Sequence, residues 1–138
     1  MNVFLDANIL VSVLNKEIPL FSYTSRILSL DPKRFKLFTS PICLAIAFYF
    51  AEKKSGTKLA KSKIQLLVQH IEIADANKDG VLLAAQNKSI DDFEDGLEYY
   101  AALHVGCSCI VTENVKDFYF SEIEVLNAER FIMKHGRT

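Results

Sequence analysis

The sequence predicts an α/β fold in which helices cover both faces of a mainly parallel sheet. Two observations carry this prediction: five short β-prone runs are present, and they alternate with stretches of helical periodicity along the chain. A length of 138 residues, 50% of them apolar, suits a single domain, residues 1–138, with a sizeable core.

Proline, glycine and capping residues divide the first half of the chain into elements. Asp31-Pro32 stops a helix. Ser40 and Pro41 suit the cap and first turn of a long, deeply buried helix that ends at Gly56. The predicted elements are a strand at 2–5, helices at 7–15 and 19–30, a strand at 36–40, and helices at 41–54 and 57–70.

The second half continues the alternation. Asp92 suits the cap of a helix that Gly106 ends, and the β-prone run CSCIVT predicts a central strand because it is nearly continuous. The predicted elements are a strand at 70–75, helices at 77–88 and 92–104, strands at 107–112 and 123–125, and a helix at 127–135.

Charge is distributed unevenly along the chain. Residues 1–63 carry ten Lys or Arg against four Asp or Glu, a net of +6, and residues 64–138 carry six against thirteen, a net of −7. The totals, 16 basic and 17 acidic residues, nearly cancel, which excludes a global basic field for nucleic acid. A chain polarised in this way can still pair a basic surface with an acidic site.

The cysteines and the N-terminus predict a cytoplasmic protein. Cys43, Cys107 and Cys109 lie inside apolar runs and lack zinc-type spacing with histidine, so we expect buried thiols in a reducing compartment. The N-terminal sequence MNVFLDANIL has no basic n-region, and no apolar stretch reaches the roughly 18 residues that a membrane span needs.

Polar side chains lie where ligands bind in open α/β sheets, just after the strands. Asp6 and Asn8 follow the first strand, and Asn114 and Asp117 follow the fourth. The helix that leads into the fourth strand starts with the acidic stretch 92–95. We expect these groups to converge, and hard oxygen ligands of this kind suit Mg²⁺ or Mn²⁺. Taken singly, each acid is also explained as a helix cap.

Three segments together resemble a PIN domain of the VapC toxin-like branch: FLDANILVSVL, DFEDGLEYYAALHVGC and IVTENVKDF. The resemblance spans nearly the whole chain. It implies a three-layer α/β/α sandwich with a central five-stranded sheet, and a metal-dependent ribonuclease that acts as the toxin of a type II toxin–antitoxin system. It also implies an RNA substrate, a homodimer and a cognate antitoxin that holds the toxin inactive.

The same resemblance assigns residues. Asp6, Asp95 and Asp117 match the catalytic, metal-binding aspartates, and a water held between Asp6, Asp95 and Mg²⁺ or Mn²⁺ is the implied nucleophile. Asn8, Thr112 and Asn114 match supporting positions of the family motifs.

One family position is changed. The family usually places a glutamate on the helix after the second strand, where this chain has Ala45, Ile46 and Ala47. We expect Asp92, Glu94 or Glu98 to compensate, Glu98 because it lies one turn from Asp95. The alternative is a catalytically degenerate PIN domain that acts as a binding module.

The lysines of segment 52–63 have two interpretations. As a solvated helix face they have no special role. As RNA-backbone contacts they make binding sensitive to salt. The lysines concerned are Lys53, Lys54, Lys58, Lys61 and Lys63.

The aromatic residues also have two interpretations. They can form a stacking platform for bases, but core packing is the expectation for all of them. The residues concerned are Phe48, Tyr49, Phe50, Tyr99 and Tyr100.

Two phosphoryl-transfer domains share the predicted fold class, a haloacid dehalogenase-like phosphatase and a response-regulator receiver. The phosphatase needs a second aspartate two residues after the first, where this chain has Asn8. The receiver needs several acids after the first strand rather than Asp6 alone. Both are therefore disfavoured.

Overall fold

The computed structural model describes residues 1–136, which form a three-layer α/β/α sandwich around a five-stranded sheet. The strands are β1 (Asn2–Leu5), β2 (Lys36–Thr39), β3 (Glu72–Ile73), β4 (Cys109–Val111) and β5 (Glu124–Leu126). The helices are α1 (Ala7–Leu14), α2 (Phe21–Leu28), α3 (Pro41–Ser55), α4 (Thr57–Leu67), α5 (Lys78–Gln86), α6 (Phe93–His104) and α7 (Ala128–His135). A 3₁₀ helix spans Val115–Phe118.

The sheet is parallel throughout, in the order β3-β2-β1-β4-β5. Val3 of β1 pairs with Leu37 on one side and with Cys109 on the other. The chain builds outward from β1 to β3 and then crosses back to β4, so the strand order reverses between β1 and β4. The carboxyl ends of these two strands therefore flank the crevice in which such sheets bind ligands.

Side-chain caps fix where the helices begin. The Asp6 carboxylate accepts a hydrogen bond from the Ala7 amide at the start of α1, and the Ser40 hydroxyl accepts one from the Cys43 amide at the start of α3. Gly56 ends α3 at a φ of 83°, a backbone conformation that glycine adopts without steric cost. The Asp6 and Ser40 caps place polar side chains at the carboxyl edge of the sheet, and Asp6 lies beside the point where the strand order reverses.

The core lies along β1 and β4, which are enclosed on both sides by other strands. Phe4, Leu5 and Ile110 are completely buried, as nearly continuous apolar strands require in a sheet covered on both faces. All three cysteines are buried free thiols, as the sequence predicts. None of the helices within residues 1–136 is long and apolar enough to cross a membrane.

Two elements differ from the sequence-based expectation. Only Cys43, Ala47 and Ala51 of α3 are buried, so this helix is not deeply buried. It packs against α1 and α4 and leaves part of its surface in solvent. The strand predicted at 70–75 is reduced to Glu72–Ile73, because β3 is an edge strand that pairs only with β2.

Candidate functional site

Asp6 and Thr112 lie next to each other at the point where the strand order reverses. Each residue directly follows its strand, and the Asp6 amide donates a hydrogen bond to the Val111 carbonyl at 3.0 Å. The Thr112 hydroxyl donates to Asp6 Oδ2 at 2.7 Å, while Asp6 Oδ1 accepts from the Ala7 amide at 2.6 Å. The Asp6 carboxylate is thus held from both sides.

Asn8 and Thr112 connect this carboxylate to the loop after β4. Asn8 Nδ2 donates to Thr112 Oγ1 at 3.2 Å, and Asn8 Oδ1 accepts from the Glu113 amide at 3.1 Å. Thr112 Oγ1 also accepts from the Asn114 amide at 3.0 Å. The structure therefore brings the supporting residues of the sequence prediction into one network around Asp6.

A cleft of about 400 Å³ opens in front of this network, within the size range of small-molecule sites. The acids predicted from the strand ends and the start of α6 all face it. The polar lining consists of Asp6, Asn8, Glu17, Asp92, Glu94, Asp95, Asn114 and Asp117. Asp6, Asp95 and Asp117, which are far apart in the sequence, therefore converge as expected.

The acids raise the energy of one another's charged forms. Burial, followed by the charges of Asp92, Asp6 and Asp117, raises the pKa of Asp95 to about 7. Burial and the nearby Asp92 and Asp6 also raise the pKa of Glu94. A site that crowds carboxylates in this way favours a cation, which lowers the cost of ionising them.

Glu98 lies behind Asp6 rather than on the cleft wall. Its side chain is 1% exposed, and its Oε1 accepts a hydrogen bond from Cys43 Sγ at 2.9 Å. Burial, together with a hydrogen bond to Asp6 and the charge of Asp6, raises the pKa of Glu98 to about 11. Oxygen and sulfur atoms of Asp6, Cys43 and Glu98 lie within 4.8 Å of one another.

The thiol makes this group of three a poor magnesium site. Burial and the charge of Glu98 raise the pKa of Cys43, so the thiol remains protonated, and Mg²⁺ and Mn²⁺ prefer oxygen ligands. The sequence places Glu98 one turn from Asp95, but its burial behind Asp6 depends on tertiary contacts such as that with Cys43 of α3. The sequence does not mark Cys43 as a site residue, and only its position in an apolar run predicts that it is buried.

The opposite wall of the cleft is apolar. It is formed by Ala7 and Val11 of α1 and by Ile46 and Phe50 of α3. Ile46 therefore lines the same cleft as the acids, within the stretch 45–47 where the resemblance leads one to expect a glutamate. Sequence reasoning missed Val11, Phe50 and Glu17 as lining residues, although the helical spacing between Ile46 and Phe50 indicates a shared face.

The expectation of core packing is wrong for two of the aromatic residues. Tyr49 is 51% exposed and Phe50 is 45% exposed. Tyr99, in contrast, is buried, and Phe48 and Tyr100 are half-buried against the core. The sequence could not separate these cases, because α3 is apolar on several faces.

The lysine segment lies on the last turn of α3 and on α4, and its members have different surroundings. Lys53 Nζ lies 4.6 Å from the centroid of the Tyr49 ring. Lys54 Nζ donates to the Asn15 carbonyl at 2.6 Å. Lys61, on α4, lies beside Leu44 and Phe48 of α3 and outside the cleft. Lys63 donates to Ser55, and Lys58 is exposed.

Comparison with known proteins agrees with this fold. Residues 2–116 match a family model described as PIN domain. The chain is 32% identical over 134 residues to Ribonuclease VapC1 of Aquifex aeolicus (strain VF5), a match that covers 94% of this chain and 92% of the relative.

Solved structures share the fold. The crystal structure of VapBC2 from Rickettsia felis bound to a DNA fragment from their promoter has a TM-score of 0.69 at 22% identity and covers 92% of this chain and 98% of that one. VapBC-1 from nontypeable Haemophilus influenzae has a TM-score of 0.69 at 20% identity, with coverage of 94% and 99%.

Proposed function

The chain belongs to the PIN domain family, in its VapC toxin-like ribonuclease branch, and on that premise we propose that it is a metal-dependent endoribonuclease. The observation that carries the proposal is the convergence of Asp6, Asp95 and Asp117 on one cleft between the ends of β1 and β4. The alternative of a degenerate binding module is not favoured, because the cleft keeps these carboxylates and the relative at 32% identity is named a ribonuclease.

Asp6, Asp95 and Asp117 would hold the divalent ion, Mg²⁺ or Mn²⁺. Their donor atoms are the hard oxygens that these ions prefer, and the raised pKa of Asp95 reflects burial and repulsion that a cation relieves. When bound, such an ion supplies an activated water and offsets charge on the non-bridging phosphate oxygens. Asp92 and Glu94 face the same cleft and can replace the carboxylate that Ile46 does not provide.

The other site residues hold Asp6 in position. Thr112 and Ala7 fix its two carboxylate oxygens, and Asn8 ties Thr112 to the loop that carries Asn114. Glu98 supports Asp6 from behind, since a protonated Glu98 can donate a hydrogen bond to it. We assign Glu98 to positioning rather than to ion binding, because it is buried and lies outside the cleft lining.

RNA is the proposed substrate, and the lysine segment provides its positive surface. Exposed Lys53 and Lys58 are the strongest candidates for backbone contacts, because Lys54 is hydrogen-bonded to Asn15 and Lys61 faces away from the cleft. Each lysine that binds a phosphate of single-stranded RNA should contribute about 0.7 to the slope of log affinity against log salt.

We also propose that the chain acts as the toxin of a type II toxin–antitoxin system, with a cognate antitoxin and as a homodimer. The Rickettsia felis and Haemophilus influenzae structures of the same fold are described as VapBC assemblies. Leu82 and Leu83 of α5, 45% and 47% exposed, give the dimer a candidate apolar surface.

Calorimetric titration of the metal-free chain with Mn²⁺ and Mg²⁺ tests the ion site directly. Saturable binding is expected for the unchanged chain, and Asp6→Asn or Asp117→Asn should weaken it at least tenfold, since each removes a charged ligand while keeping its shape. Asp75→Asn is the matched control, because Asp75 is exposed and lies outside the cleft.

Cleavage of RNA is the second measurement. Activity should require the divalent ion, disappear with EDTA and disappear in Asp6→Asn but not in Asp75→Asn. If the folded, unchanged chain fails to bind either ion up to millimolar concentration in the presence of RNA, the proposal is wrong.

A further inference from the structure

The exposed aromatic pair on α3 lies at the end of the acidic cleft. Phe50 lines the cleft, and its ring contacts that of Tyr49 edge to face, with centroids 5.3 Å apart. The hydrophobic effect favours burying such rings, yet about half of each remains in solvent. Two adjacent exposed rings beside a cleft indicate a contact surface.

Lys53 gives this surface a positive charge. Its ammonium group lies over the Tyr49 ring and one helical turn beyond Phe50. The polar lining of the cleft itself is mostly acidic and includes Glu17, and neither Tyr49 nor Lys53 is part of that lining. Phe50 therefore connects the carboxylates of the cleft, its acidic end, to the aromatic and basic surface that Tyr49 and Lys53 form beside it.

This arrangement fits a single-stranded nucleic acid better than an apolar partner. Aromatic rings stack on bases regardless of sequence, and a neighbouring lysine pairs with the phosphate of the same nucleotide. A purely apolar partner gains nothing from Lys53 and would have to desolvate the carboxylates along the same cleft.

We propose that Phe50, flanked by Tyr49 and Lys53, is the stacking site for an unpaired base of the bound RNA, next to the phosphate held at the acidic end. The proposal rests on the ribonuclease function and adds a base-binding subsite to it. Phe50 stacks on the base, Tyr49 supports the Phe50 ring from its edge, and Lys53 binds the adjoining phosphate.

Fluorescence of 2-aminopurine in a single-stranded RNA oligonucleotide tests the subsite, because stacking on an aromatic ring quenches this base. Titrations with Ca²⁺ in place of Mg²⁺ or Mn²⁺ separate binding from cleavage, because Ca²⁺ takes the same oxygen ligands in a looser geometry. The unchanged chain should quench the fluorescence, and Phe50→Leu should abolish quenching and weaken affinity about fivefold to a hundredfold, the range measured for one stacked base. Phe50→Trp should restore both, since it returns a ring that leucine lacks.

Two further measurements keep the result interpretable. Mn²⁺ affinity of Phe50→Leu should equal that of the unchanged chain, which shows that the fold and the acidic end are intact. Lys53→Gln should lower the salt slope of RNA binding by about 0.7. Lys61→Gln should leave that slope unchanged, because Lys61 is on α4 and lies outside the cleft.

The possible results distinguish failure of the subsite from failure of the ribonuclease. Phe50→Leu could bind RNA as tightly as the unchanged chain while that chain still cleaves RNA, in which case the subsite fails and the ribonuclease stands. If the unchanged chain quenches and binds but never cleaves, the ribonuclease fails and the subsite stands. No RNA binding by the unchanged chain refutes both. A change of oligomeric state in Phe50→Leu without a loss of RNA affinity would assign the rings to a second copy.

Discussion

Replacing Glu98 with glutamine should stabilise the metal-free protein at neutral pH. Glu98 is buried, and its pKa rises from 4.5 to about 11, so at pH 7 the folded chain holds a proton that the unfolded chain has released. Folding must take up this proton. Between pH 4.5 and the folded pKa, the free energy of unfolding therefore falls by about 1.4 kcal/mol for each pH unit.

The loss of stability at pH 7 depends on the pKa of Glu98 in the unfolded chain. It does not depend on how far the pKa of Glu98 in the folded chain exceeds 7. The interval from 4.5 to pH 7 corresponds to roughly 3 kcal/mol of lost stability. Glutamine is neutral at every pH, and its amide can replace both hydrogen bonds, accepting from Cys43 and donating to Asp6. Glu98→Gln should therefore gain up to roughly 3 kcal/mol over the unchanged chain at pH 7 and nothing at pH 4.5.

Urea unfolding in EDTA at several pH values between 4.5 and 7.5 measures this difference. Glu122→Gln is the control, because it makes the same substitution at an exposed position. Equal stability of Glu98→Gln and the unchanged chain across the whole range would show that Glu98 is ionised in the fold. In addition, a tenfold or greater loss of Mn²⁺ affinity in Glu98→Gln would contradict the positioning role and make Glu98 a ligand.

Three further substitutions test packing, the hydrogen-bond network and the lysine segment. Gly96→Ala should cost about 1–3 kcal/mol in thermal unfolding, because a Cβ there meets the Ala84 Cβ at 3.0 Å. Thr112→Val should cost about 1–3 kcal/mol and weaken Mn²⁺ binding by calorimetry, since it removes the short hydrogen bond to Asp6 Oδ2 and leaves there the longer one from Asn8, whereas Thr112→Ser should preserve both stability and binding. Lys54→Met should cost about 0.5–1.5 kcal/mol in urea unfolding but leave the salt dependence of RNA binding unchanged, because its ammonium group is bound to a backbone carbonyl.

The sequence was sufficient to predict where the acids meet. Asp6 ends an apolar strand, and Asp117 follows another, so the rule that ligands bind at the carboxyl ends of parallel strands brings them together without knowledge of packing. Helix caps set the element boundaries for a related reason. Ser40 and Gly56 act through the backbone of their own turn, which is a local effect that the sequence contains.

How deeply each side chain is buried could not be predicted from the sequence in the same way. Periodicity places Glu98 on the face of Asp95, but only the tertiary contacts of Glu98 with Cys43 and Asp6 decide that Asp95 lines the cleft while Glu98 lies behind Asp6. Tyr49 and Phe50 show the opposite case, because they are more exposed than the sequence predicts. An apolar helix with several apolar faces was expected to be covered on most sides, yet α3 has neighbours on only part of its surface.

The surroundings of Asp6 explain why a buried acid lies behind the proposed cation site. A protonated Glu98 neither repels the Asp6 carboxylate nor attracts the ion away from the cleft, and its proton supplies a hydrogen bond that water cannot supply at a buried position. A leucine there would remove that donor, and an ionised glutamate would add a charge to a crowded cluster. Proton uptake by Glu98 lowers the stability of the protein at neutral pH, but the protonated side chain helps to orient the Asp6 carboxylate, which Ala7 and Thr112 also hold in place. Such a loss of stability is expected where function competes with stability.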